Sequence, residues 1–145
     1  MNILYIGSGF VGASSASVSA DSGHEVLVLS SNSVKGTDDF ASPEDNIGKV
    51  KIIRFPFMKL GGESFMFWKF EKQALEFSPD LIITHNYRHM HNIQALKVAK
   101  KLRKKGKNCK VFLVTHAPFV EGNIPRSIKE PLAVKLYDFF IGPLV

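Results

Sequence analysis

A single cysteine, Cys109, leaves no partner for an intramolecular disulfide and no set for a cysteine-based metal framework. A reducing compartment is the natural setting, so a cytoplasmic location is expected. Long apolar runs are also missing. Asn2-Ile3-Leu4-Tyr5-Ile6 is only strand-length and meets glycine at once, without the basic region and apolar stretch of a secretory leader. No segment is long enough to span a bilayer. The absence of low-complexity tracts and short repeats excludes a solenoid and argues against disorder. There is no Gly-x-Ser-x-Gly elbow and no P-loop, so hydrolase and nucleoside-triphosphatase readings lack their signatures. Acidic residues are in the minority: 13 Asp and Glu against 19 Lys and Arg give a net charge of +6. That balance favours anionic company, whether nucleotide phosphates, acidic lipid headgroups or nucleic acid. No nucleic-acid reading motif accompanies the charge, so nucleic acid is not expected as a partner.

What is present is the pattern of one α/β domain in 145 residues. Asn2–Ile6 reads as a strand, and Ala13, Ala16, Ser17 and Ala20 then recur at helical spacing up to Gly23. Glu25–Ser30 is nearly continuous aliphatic, as suits a strand covered on both faces. A loop is expected to about Lys49. Val50, Ile52 and Phe55 form a third strand stopped by Pro56. Met66, Phe70, Ala74 and Phe77 predict one helical face within a helix over 63–77, before a fourth strand at Asp80–Thr84. Ile93, Leu96, Ala99 and Leu102 predict a helix after His91, capped by Gly106. Val111–Val114 is a fifth strand, and Ser127 with Glu130 has capping-box spacing for a last helix. Alternating strands and helices predict a Rossmann-like parallel sheet in the order 3-2-1-4-5 with helices on both faces.

In such a sheet, ligands lie beyond the carboxyl ends of the strands, near the switch between strands 1 and 4. Gly7-Ser8-Gly9-Phe10-Val11-Gly12 falls there with the dinucleotide-binding spacing, directly after a strand and opening a helix. The acid that would hold a ribose 2′-hydroxyl is replaced by Ser30, Ser31 and Asn32, which disfavours NAD. A phosphorylated ribose still has Ser31 and Lys35, so an NADP-binding oxidoreductase domain stays open. His85, Asn86, Tyr87, Arg88 and His89 follow strand 4 and offer sugar hydroxyls and phosphates donors, acceptors and a stacking face. His85, His89 and His91 straddle a loop and a helix start and lack carboxylates at ligand spacing, so no metal is expected. His116 follows strand 5, with Pro118 stiffening the turn over the crevice. The cations from Lys97 to Lys110 suit a helix carboxyl end and also an anionic membrane surface. Phe65, Phe67 and Trp68 exceed one buried helix stripe, so core, a further domain and a bilayer surface all remain candidates to cover them.

These residues together resemble the N-terminal, acceptor-side domain of retaining GT-B glycosyltransferases of the family 4, group 1 type. The carriers are the Gly7 turn, Gly23-His24-Glu25-Val26, Pro79 to Asn86, Thr115-His116-Ala117-Pro118-Phe119 and Leu136-Tyr137-Asp138. The resemblance implies transfer of a sugar from a nucleotide-diphosphate donor to a sugar or lipid-linked acceptor, with no metal and no cofactor beyond that donor. It implies that Gly7, Ser8, Gly9 and Gly12 lie beside the donor phosphates and that His116 orients or polarises the reacting sugar. It also implies that His85, Asn86, Tyr87, Arg88 and His89 line the acceptor side, with Arg126 near an anionic group. The donor-binding second Rossmann domain would come after this chain, as a missing domain or a separate subunit, and the half alone would be inactive. Glu63 and Glu71 mimic that domain's paired glutamates but precede strand 4 among core-like aromatics. A non-catalytic module docking a partner is the third reading. Truncation would leave an apolar face near Phe139 and Phe140, which a homo-oligomer would cover.

Overall fold

The strands alternate their side chains between two hydrophobic layers, and that alternation organises the whole computed structural model, which describes residues 1–7, 10–34, 36–60, 65–86, 89–115 and 139. In β1 (Asn2–Ile6) and β2 (Glu25–Ser31), Ile3, Tyr5, Val26 and Val28 face one layer. Leu4, Ile6, Leu27 and Leu29 face the other. Both faces are covered, so the runs read as continuous aliphatics instead of alternating with polar residues.

The remaining strands of this sheet are β3 (Glu44–Ile47), β4 (Val50–Phe55), β7 (Leu81–His85) and β8 (Lys110–Val114). Their order is β3-β4-β2-β1-β7-β8. Pairing is parallel everywhere except between β3 and β4. The expected order 3-2-1-4-5 is therefore present as β4-β2-β1-β7-β8. The expected loop to about Lys49 is corrected in one place: residues 44–47 add an antiparallel edge strand to the parallel sheet. Every residue of β3 is exposed, and so it carries no burial pattern for a sequence reading to detect.

One layer holds α1 (Phe10–Asp21), which meets the sheet through Ala16 and Ala20. The other holds β5 (Phe57–Lys59), β6 (Met66–Trp68), α2 (Glu71–Phe77) and α3 (Met90–Lys104) around Trp68, Phe70, Ala74, Ala95, Val98, Ala99 and Leu102. The expected helix over 63–77 is corrected as well. Residues 66–68 pair antiparallel with 57–59, Phe57 opposite Trp68, and the helix begins only at Glu71. Aromatics of high β propensity on either side of Gly61-Gly62 favour the hairpin over the first turns of a helix. The helix after β7 begins at Met90, one residue before His91, and ends in a Schellman arrangement. There Gly106 takes a φ of +84°, its N–H bonds the Arg103 carbonyl at 3.0 Å, and Lys107 N–H bonds the Leu102 carbonyl at 3.1 Å.

Asp80 ties three strand starts together at the amino end of the sheet. Its Oδ2 accepts the Asn2 N–H at 2.7 Å, its own N–H donates to the Asn2 carbonyl, and its carbonyl accepts from Lys110 N–H. Lys107 Nζ lies 3.1 Å from Oδ1. The Asn2 N–H, then Lys107, hold the carboxyl below its ordinary pKa. The final expected helix, with Phe140, lies outside the described residues. Phe139 is 75% exposed.

Candidate functional site

β1 and β7 lie side by side with Ile6 opposite Thr84, so the turn beginning at Gly7 and the turn at His85-Asn86 leave the sheet as neighbours. The end of β2, Ser30 and Ser31, lies on the other side of β1. This is the switch point at which the chain order reverses, as the alternating pattern predicts.

Gly7 has a φ of +71°, which an L side chain rarely adopts. Space forbids one too: an added Cβ would lie 2.5 Å from Cε1 and 2.7 Å from Nε2 of His91. The close approach that requires glycine here is thus made by an imidazole. The Gly7 N–H donates to the Leu29 carbonyl at 3.0 Å, so it is engaged within the protein instead of facing a ligand as a backbone donor. Gly12 is buried in the first turn of α1. Ser8 and Gly9 lie outside the described residues.

His91 sits in the first turn of α3 and is 2% exposed. Its Nε2 lies 2.9 Å from the His85 carbonyl and donates to it, which leaves Nδ1 as a lone-pair acceptor. Nδ1 is buried without a hydrogen-bond partner among the described residues. Burial first, then the neighbouring His89, lowers the His91 pKa to about 3, so the ring is neutral at physiological pH. The Trp68 and His91 ring centres are 5.1 Å apart, and the buried Trp68 Nε1 likewise has no hydrogen-bond partner. Among the described residues, a donor without an acceptor and an acceptor without a donor therefore lie on these two neighbouring rings.

Asn92, next on α3, donates from Nδ2 to the Asn86 carbonyl at 2.8 Å. Asn86 is exposed in the left-handed region at φ +67°, a conformation that Asn tolerates better than most residues. Its N–H donates to the Val114 carbonyl at 2.9 Å. The first turn of α3 thus reaches back and fixes both residues that end β7. His85 itself is 3% exposed, with its ring stacked on Tyr5 at 6.4 Å, so the ring is packed into the protein and is not presented to solvent. His89 is the half-buried N-cap of α3, its ring 5.2 Å from that of His91. Tyr87, Arg88, His116, Arg126 and Lys35 lie outside the described residues.

At the end of β2, Ser30, Ser31 and Asn32 are all half-buried, and the buried Asn32 Oδ1 has no hydrogen-bond partner among the described residues. No carboxylate stands there. No group of three or more His, Cys, Asp or Glu gathers among the described residues in a form that could hold a metal ion. From sequence His91 stands out only beside His85 and His89 as a metal-ligand candidate, and Asn92 and Trp68 are not assigned to this site. Their only signal for this role is polarity in the wrong place: His91 and Asn92 fall on the buried side of an amphipathic helix start, where polar groups need a specific partner.

No protein-family model matches the chain, and no curated protein matches it either. Among solved structures, one described as trehalose-6-phosphate from E. coli bound with UDP-2-fluoro glucose aligns with a TM-score of 0.46 and 13% identity. The alignment covers 95% of this chain and 37% of that one, so this chain spans little more than a third of its length. A sucrose-phosphate synthase structure from Thermosynechococcus elongatus aligns with a TM-score of 0.38 and 11% identity over 100% of both chains. Likeness at this level is too loose to bear on activity, and the functional reading rests on the residues.

Proposed function

We propose that this chain is the acceptor-side half of a retaining glycosyltransferase, working with a donor-binding half supplied as a further domain or a separate subunit. The carrying observation is the juxtaposition of the Gly7 turn with the His85-Asn86 turn at the switch point, while β2 ends in serines where a dinucleotide site has its acid. Two further features support a hydroxyl-rich ligand. Asn86 is exposed in a left-handed turn whose backbone is fixed by Asn92 and Val114, and the site's neutral histidine and amide groups donate and accept without adding charge. In this reading His116 orients or polarises the reacting sugar, His85 to His89 and Arg126 serve the acceptor side, and the protein contributes position and polarity instead of a nucleophile.

The test is amide-resolved NMR of the 145-residue chain titrated with hexose phosphates and UDP- and GDP-sugars on one side and NADP on the other. Sugar ligands are expected to shift the Gly7, Asn86 and His91 resonances. A response to NADP centred on Ser30 to Asn32, with none to any sugar ligand, would instead establish the oxidoreductase alternative.

A further inference from the structure

The β5–β6 hairpin is apolar on both of its faces. Its register places Phe57 opposite Trp68, Met58 opposite Phe67 and Lys59 opposite Met66. Leu60 N–H continues the ladder to the Phe65 carbonyl at 3.2 Å. Side chains alternate along a strand, so Phe57, Met66 and Trp68 turn inward to the core, where they pack. Met58, Leu60, Phe65 and Phe67 then share the outward face. Met58 is 59% and Leu60 61% exposed, and the two phenylalanines are half-buried. A solvent-facing hairpin ordinarily presents polar residues on that side. The exposed Lys59 and Lys69 flank the patch.

Charge is distributed to match. α3 lies on the same side of the sheet as the hairpin and carries Lys97, Lys100, Lys101, Arg103 and Lys104 with no Asp or Glu along its length. α1, on the opposite side, has neither Lys nor Arg. α2 on the hairpin's side brings Glu71 and Glu76, but Glu71 pairs with Lys101 and Glu76 with Lys72. Lys97, Lys100, Arg103 and Lys104 therefore remain as an excess of cations on the side that carries the apolar patch, the complement of a bilayer whose headgroups are anionic. A second copy of the chain fits less well, because bringing this side against itself would oppose one α3 cation row to another.

We propose that the outer face of the β5–β6 hairpin docks on an anionic lipid surface, with Met58 and Leu60 entering the headgroup region and the α3 lysines meeting lipid phosphates. This does not depend on which ligand occupies the crevice. The test is co-sedimentation of the full chain with vesicles of phosphatidylcholine alone or mixed with phosphatidylglycerol, alongside sedimentation velocity without lipid. Binding is expected to the mixed vesicles, to weaken with added salt, and to be much lower on phosphatidylcholine alone. Met58→Ser combined with Leu60→Ser changes only exposed positions. It is expected to leave the melting temperature unchanged and to lower partitioning about tenfold. Lys97→Glu combined with Lys100→Glu is expected to lower it by a similar factor. Failure to bind the mixed vesicles, equal binding to neutral ones, or undiminished binding by the serine variant would each overturn the proposal. So would a concentration-dependent dimer that the serine variant dissolves.

Discussion

α1 covers its side of the sheet through alanines, whereas the opposite side is covered by Trp68, Phe70 and the aliphatic stripe of α3. Small residues let a helix backbone approach the strands closely, so little side-chain volume is involved and the α1 contact depends on fit. The other side depends on bulk. The difference also divides the candidate site. The glycine turn leads into α1, while His91, Asn92 and Trp68 come from the bulky layer and reach through to it. Gly7 with His91 is therefore the joint at which a close-packed layer meets a volume-filling one.

Four measurements break or sharpen this contrast, and urea unfolding reads all of them. Phe70→Ala, at a fully buried position in the bulky layer, is expected to lower stability by about 4 kcal/mol. A loss below about 1 kcal/mol would mean that this layer does not depend on volume. Gly7→Ala is expected to lower it by about 3 kcal/mol, from the positive φ and the collision with His91 together. His91→Ala made in the same chain should recover part of that loss, and strict additivity would refute the collision. Ala16→Leu, on the α1 side, is expected to lose about 2 kcal/mol by overpacking. A neutral result would show that α1 has room and that the contrast is false.

The fourth measurement is stability against pH. The unfolded chain binds a proton at histidine near 6.5, whereas native His91 refuses one until about pH 3. The stability contributed by neutral His91 is thus complete above about pH 6.5 and is lost progressively toward about pH 3, with a slope of at most about 1.4 kcal/mol per pH unit. Asp80, whose carboxyl is held below its ordinary value of 3.8, adds a loss of the same sign as pH falls through and below that value. His91→Gln should flatten the upper part of the curve, and an unchanged slope would place the acid sensitivity elsewhere.

The parallel strands were legible in the sequence because a strand covered on both faces must be aliphatic at every position, as in β1 and β2. β3 was not, because nothing covers Glu44 to Ile47 and burial left no trace in them. The misread stretch from 63 to 77 shows two periods in competition. Met66, Phe70, Ala74 and Phe77 fit helical spacing, yet Met66 and Phe70 reach the same core from a strand and from the residue before a helix. Gly61-Gly62 between two apolar runs was the hairpin signal that should have decided it. For the site, the need for glycine after β1 was readable, but the group that imposes it was not. His91 meets Gly7 only through tertiary folding, and no local pattern announces such a contact.

The Asp80 clamp bears on how the chain is made. Asn2 leaves the ribosome well before the carboxylate that holds its N–H, which lies 78 positions later. At cellular synthesis speeds that is a wait of roughly 4 to 16 s. During it β1, the strand destined for the middle of the sheet, has only β2 on one flank, and the flank awaiting β7 is open. The nascent chain therefore carries an apolar strand edge for seconds, at the stage when chaperones act, and its assembly closes when β7 arrives.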